Sequence, residues 1–161
     1  MSARDGDGWI ECTCGSKHWG LHGAAGLLAV RDGAIFLQHR APWVHNGDTW
    51  GIPGGARDSH ESVIEGAMRE AIEETGIDAE DLTVVHTFTD DHSIDSDMSG
   101  WSYSTVIAIA NSDLDERNLN DESSEVRWVK FGDVTRLPLH PSFAMSWPEL
   151  RLIIEELESF A

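Results

Sequence analysis

Apolar residues along this chain follow two rhythms. Dense runs at residues 23–30 and 34–39 read as strands. They are joined by Arg31-Asp32-Gly33, where the Asp-Gly pair signals a tight hairpin. Similar runs at 82–89, Ser102–Ala110 and 125–130 predict further strands. The stretches 90–100 and 111–124 between them are rich in Asp, Ser and Asn and read as exposed loops. Residues 41–57 form a loop carrying Gly47, Gly51, Pro53, Gly54 and Gly55. Residues 1–20 are polar and irregular, and residues 21–161 read as one domain.

The second rhythm is helical. Val63, Ile64, Ala67, Met68, Ala71 and Ile72 recur at three- and four-residue spacing, which predicts one buried helix face. Asp58 and Glu61 have the spacing of a capping box, and Gly76 stands where a helix ends. A final helix is predicted from about 147 to 159, with Leu150, Ile153, Ile154 and Leu157 as its stripe. Pro148 fits it only within the first turn. Strands, helix, strands and helix in this order indicate an α+β or αβα layered domain.

The chain has 161 residues and 40% hydrophobic content, enough for one domain with a real core. A formal charge of −18 disfavours nucleic acid polymers and anionic membranes as partners. A small anionic ligand would need a local cation, most simply a divalent metal. No apolar stretch is long enough to cross a bilayer, and no secretory signal is evident. Only Cys12 and Cys14 are present, so a disulfide framework is absent and a reducing cytoplasm is the expected location. Cys12 and Cys14 with His18, and His22 beyond them, offer zinc-type ligands, but the C-x-C spacing is too tight for a usual finger and a zinc site is disfavoured.

The predicted central helix carries a conflict on its other face. Glu70, Glu73 and Glu74 stand at i, i+3 and i+4, where like charges repel. A shared cation resolves that repulsion, and Mg²⁺ takes oxygen ligands of this kind. Gly66, one turn before Glu70, leaves room for a metal or phosphate on that face. Backbone at Gly54 and Gly55, lacking Cβ atoms, can approach a ligand closely.

Residues 55–77 resemble the motif G-x5-E-x7-R-E-U-x-E-E-x-G-U of the Nudix hydrolase family (MutT-like), with every fixed position matched at unbroken spacing. Ala71 is smaller than the usual aliphatic residue at its position. Trp50-Gly51-Ile52-Pro53-Gly54-Gly55 resembles the lead-in to this motif, and Glu125-Val126-Arg127-Trp128 a later strand of the family. The resemblance implies an αβα sandwich on a mixed sheet and hydrolysis of a nucleoside diphosphate linked to X. It assigns Glu70, Glu73, Glu74 and the Gly55 carbonyl to Mg²⁺ or Mn²⁺. Arg69 would orient a motif glutamate, and Glu61 would support the loop or a further ion. Glu70, Arg69 and Glu73 are the catalytic candidates. The general base is Glu70 or an acid of the 113–125 stretch, such as Asp121, Glu122 or Glu125.

Arg40, Trp101, Tyr103 and Glu125 are candidate substrate contacts, with Trp43 a further aromatic surface for a base. His39, His45, His60 and His92 fall near the loops expected to surround the site. The segment from Asp90 to Asp95 lacks the proline or tyrosine expected of subfamilies that cut other nucleotides. That favours conversion of a (d)NTP to (d)NMP and pyrophosphate. The alternatives are an ADP-ribose or nucleotide-sugar pyrophosphatase, and a nucleotide-binding regulatory module without turnover.

Overall fold

The computed structural model describes residues 9–11, 17–19, 22–44, 46–91, 102–111 and 123–159. Within the first twenty residues, expected to be irregular, β1 (Trp9–Glu11) and β2 (Lys17–Trp19) pair as antiparallel strands. Three-residue strands are too short to leave an alternation legible in sequence. Cys12 and Cys14 lie outside the described residues.

Among the described residues a seven-stranded mixed sheet forms the body. β3 (Ala24–Arg31) and β4 (Ala34–Arg40) meet at an Asp32-Gly33 turn, both residues at positive φ, as the tight hairpin requires. The two strands stay paired only beside that turn, at Val30↔Ile35 and Arg31↔Ala34, and then diverge. Two short strands fill the gap: β5 (Trp50–Gly51) continues the ladder along β4, and β6 (Gly54–Ala56) along β3. The glycine-rich segment expected to be a loop is thus clamped into the sheet on both sides. After α1 (Val63–Thr75), β7 (Leu82–Asp91) pairs with β8 (Ser102–Ala110), which runs parallel to β3. β9 (Ser123–Lys130) lies along the outer edge of β4.

Alternation along the strands assigns each face to one helix. Leu28, Val30, Ile35, Leu37, Ile107 and Val129 pack with Trp147, Leu150 and Ile154 of α2 (Pro141–Ser159). Leu27, Ala29, Phe36, Val106 and Ala108 pack with Ala67 and Ala71 of α1.

Three expectations about the helices are corrected. The capping box of α1 is Ser62 and Glu65, not Asp58 and Glu61: Ser62 Oγ accepts from Glu65 N at 3.1 Å, and Glu65 Oε1 accepts from Ser62 N at 3.0 Å. Glu61 does reach back to Asp58 N at 3.0 Å, but its carboxylate is also held by Arg69, which keeps residues 58–61 in a turn. The buried face of α1 is rotated from the aliphatic stripe. Ile64 and Ile72 are 40% and 41% exposed, whereas Glu70 and Glu74 are buried with Ala67 and Ala71. α2 begins six residues earlier than expected, which places Pro148 in its interior. Pro148 and Ala144, whose carbonyl loses its usual N–H, are both solvent-exposed, while Phe143, Trp147 and Leu150 anchor both sides of the interruption in the core.

Candidate functional site

The site forms where β6 passes between the start of β3 and the carboxylate flank of α1. Gly54 N donates to Glu74 Oε2 at 2.9 Å, so backbone and helix are tied directly. A Cβ at Gly55 would stand 2.7 to 2.9 Å from the Glu70 carboxyl atoms, closer than real contacts permit. Glycine here admits a carboxylate, and the sequence motif has its physical reason. On the other side of β6, a Cβ at Gly26 would meet Tyr103 Oη at 2.1 Å, and one at Gly54 would meet the same oxygen at 2.9 Å. The phenol lies in a notch formed by two glycines. Gly26 was not singled out from sequence, although a glycine inside an apolar strand signals close approach.

Arg69 gathers the acids. It donates from Nε to Glu61 Oε2 at 2.7 Å, from Nη2 to Glu61 Oε1 at 2.9 Å, and from Nη1 to Glu70 Oε1 at 2.8 Å. Nη2 also donates to the Ala56 carbonyl at 3.0 Å. Asp58 and Glu73 lie 3.7 and 3.6 Å from the guanidinium. One cation thus faces four carboxylates, with Glu74 beyond them, and negative charge remains in excess. Asp58 was not singled out as an ion-pair partner of Arg69; eleven residues separate the two and no local periodicity links them.

The Arg69 hydrogen bonds hold the Glu61 carboxyl at about 2, below its ordinary 4.5; burial opposes the shift, and Asp58 N assists it. A depressed carboxylate pKa stabilises the fold above the unfolded value and loses that contribution as pH falls through the folded one. Glu61 therefore contributes on the order of 3 kcal/mol that is progressively lost as pH falls from about 4.5 through 2. Thermal melts of wild type and Glu61→Gln are expected to differ most above pH 5 and to converge toward pH 2. A constant difference across that range contradicts the assignment.

Tyr103 is held protonated: burial and then the Glu74 carboxylate raise its pKa, with Glu70 adding to the effect and Arg40 opposing it. Tyr103, Arg40, Glu70 and Glu74 thus share one electrostatic neighbourhood, with the phenol a neutral donor. Glu125 is exposed at the start of β9 and accepts from Arg127 Nη2 at 3.0 Å. Arg127 covers the ring of buried Trp50 at 4.6 Å, and His39 lies 5.0 Å from the same ring. Trp43 is 72% exposed on the turn after β4. Trp101, His45, His92, Asp121 and Glu122 lie outside the described residues.

Gly66 does not open onto space for a metal or phosphate. An added Cβ would contact the Arg57 stem at 3.3 Å and Glu61 Oε1 at 3.6 Å. Asp58, His60 and Glu61 bring ligand-type atoms within 4.8 Å of one another, but both Glu61 oxygens already accept from Arg69. The Glu70–Glu74 flank could also hold a hard divalent ion. It offers oxygen donors only, two of them buried one helical turn apart, against a backbone that lacks a Cβ where the Glu70 carboxylate stands.

The NUDIX domain model matches residues 20–147. A Mycobacterium tuberculosis protein named "Putative 8-oxo-dGTP diphosphatase 3" is 51% identical over 152 residues, covering 91% of this chain and 70% of that one. A Bifidobacterium longum nucleoside triphosphate pyrophosphatase/Nudix hydrolase fusion protein is 42% identical and covers 94% of this chain, which spans 32% of the fusion. The solved structure of RenU, a Nudix hydrolase from M. smegmatis, superposes with a TM-score of 0.82 at 46% identity, covering 94% of this chain and 96% of the other.

Proposed function

Because the chain belongs to the Nudix hydrolase family, enzymes that act on phosphoric anhydrides, we propose that it converts a nucleoside triphosphate to the monophosphate and pyrophosphate with a divalent cation. The observation that carries this reading is the contact of β6 with α1: Gly54 N on Glu74, and Gly55 open to the Glu70 carboxylate. An oxidised purine deoxynucleotide is the favoured substrate, supported by the name of the Mycobacterium tuberculosis relative.

Glu70, Glu73 and Glu74, with the Gly55 carbonyl, would hold Mg²⁺ or Mn²⁺. When bound, the ion supplies positive charge against the phosphate oxygens and the acidity that makes water nucleophilic at neutral pH. Arg69 fixes the Glu70 rotamer through a charge-assisted bond, and Gly54 N fixes Glu74. Tyr103 presents a neutral hydroxyl near these acids, and Arg40 a permanent positive charge. Both suit a phosphate chain, which needs donors without added negative charge. Among the described residues no helix is long and apolar enough to cross a membrane.

The test is a substrate panel of (d)NTPs with 8-oxo-dGTP, ADP-ribose, nucleotide sugars and dinucleotides, in Mg²⁺ and then in EDTA, with products identified. The expected result is nucleoside monophosphate and pyrophosphate from a triphosphate, abolished by EDTA. Preference for ADP-ribose or a nucleotide sugar would replace the substrate assignment. Tight binding without turnover on every substrate would mark a regulatory module.

A further inference from the structure

Arg57 lies outside the fixed positions of the motif, yet it joins three parts of the site. Its Nη1 donates to the Glu61 carbonyl at 2.5 Å and its Nη2 to the His22 carbonyl at 2.9 Å. Its own backbone N–H donates to the Gly23 carbonyl at 3.0 Å. The aliphatic stem lies on Gly66 in the second turn of α1, where an added Cβ would stand 3.3 Å from Cγ and 3.6 Å from Cβ. One side chain therefore spans the entry to β3, the turn before α1 and α1 itself. The residue it holds, Glu61, grips Arg69 with both carboxylate oxygens, and Arg69 holds Glu70 at 2.8 Å.

We infer that Arg57 is a positioning residue that sets the cation affinity of the Glu70–Glu74 flank, acting through Glu61 and Arg69. The inference rests on the proposed metal-dependent hydrolysis. Charge and position make opposite demands here. As a bare positive charge, Arg57 repels a cation, and its removal would tighten metal binding. As the anchor of the Glu61 turn, it keeps Arg69 and hence Glu70 in place, and its removal weakens binding. Partners that orient metal ligands commonly contribute 10–100-fold in affinity.

Mn²⁺ titration of the free protein, followed by electron paramagnetic resonance, separates these demands without any substrate. Arg57→Ala is expected to weaken Mn²⁺ binding about tenfold. Arg57→Lys, which keeps the stem on Gly66 and one donor, recovers part of the loss. In turnover assays the metal concentration for half-activity should rise while the KM for nucleotide stays unchanged. Mn²⁺ binding by Arg57→Ala as tight as wild type, or tighter, overturns the inference while the proposed hydrolysis stands. Wild type that fails to bind Mn²⁺, or binding that survives Glu74→Gln, overturns the metal reading and this inference with it. Should Arg57→Ala not fold, Arg57→Met, which keeps the stem on Gly66 and removes the bonds to the Glu61 and His22 carbonyls, carries the same comparison, and affinity equal to wild type there overturns the inference.

Discussion

Glu74→Gln is expected to lower turnover by about 10²–10³-fold while leaving the thermal midpoint equal to or above that of wild type. Glu74 is buried, and its Oε2 accepts from Gly54 N at 2.9 Å. A glutamine carbonyl oxygen can accept the same bond, so the packing of β6 on α1 survives the exchange. The negative charge does not. Glu70 stands one turn away on the same helix, and like charges at that spacing destabilise it, so neutralising one of them relieves the fold. Glu73 is 48% exposed at its side chain and stands 3.6 Å from Arg69. Its glutamine variant should therefore lose less activity than Glu74→Gln. Measured kcat/KM beside thermal unfolding gives both quantities. A Glu74→Gln enzyme within fivefold of wild type would remove this carboxylate from the site.

Gly26→Ala is expected to destabilise the protein by about 3 kcal/mol, or roughly 6–12 °C in melting temperature. The added Cβ would stand 2.1 Å from Tyr103 Oη, 2.9 Å from Ile52 Cδ1 and 3.0 Å from the Pro53 carbonyl. Ile52 can rotate, but the phenol oxygen is itself confined by Gly54. Tyr103→Phe removes the oxygen, at a cost of about 1 kcal/mol when introduced alone. Combined with Gly26→Ala it should recover at least half of the alanine penalty, because the two changes address one collision. Denaturant unfolding of both single variants and the double variant closes the cycle. Penalties that simply add, within about 0.5 kcal/mol, would show that the phenol is not the obstacle.

Legibility differed from element to element. The β3–β4 hairpin was readable because Asp32-Gly33 is a local backbone requirement, met by two positive φ values. The end of α1 was readable for the same reason: Gly76 adopts a left-handed φ of 72°. The start of α1 was not. Asp58 and Glu61 have the spacing of a cap, and Glu61 does accept from Asp58 N, but Arg69, eight residues beyond Glu61, also holds that carboxylate, and the helix starts only after Ser62. Pro148 likewise misplaced the start of α2, because local propensity yielded to the burial of Phe143, Trp147 and Leu150 on one sheet face.

The identities that make the chemistry available belong to the sequence alone: three glutamates on one helical flank, an arginine among them and a glycine pair ahead of them. Their spacing is covalent and needs no fold to be read. The burial of Glu70 and Glu74 and the exposure of Glu73 were decided only in three dimensions. So were the Tyr103 phenol in the notch of Gly26 and Gly54, and the path from Arg57 through Glu61 to Arg69. These depend on β3 and β4 diverging after Val30 and on β6 filling the gap beside α1. That divergence joins residues twenty to eighty positions apart, and no periodicity of two or 3.6 records which strand lies next to which.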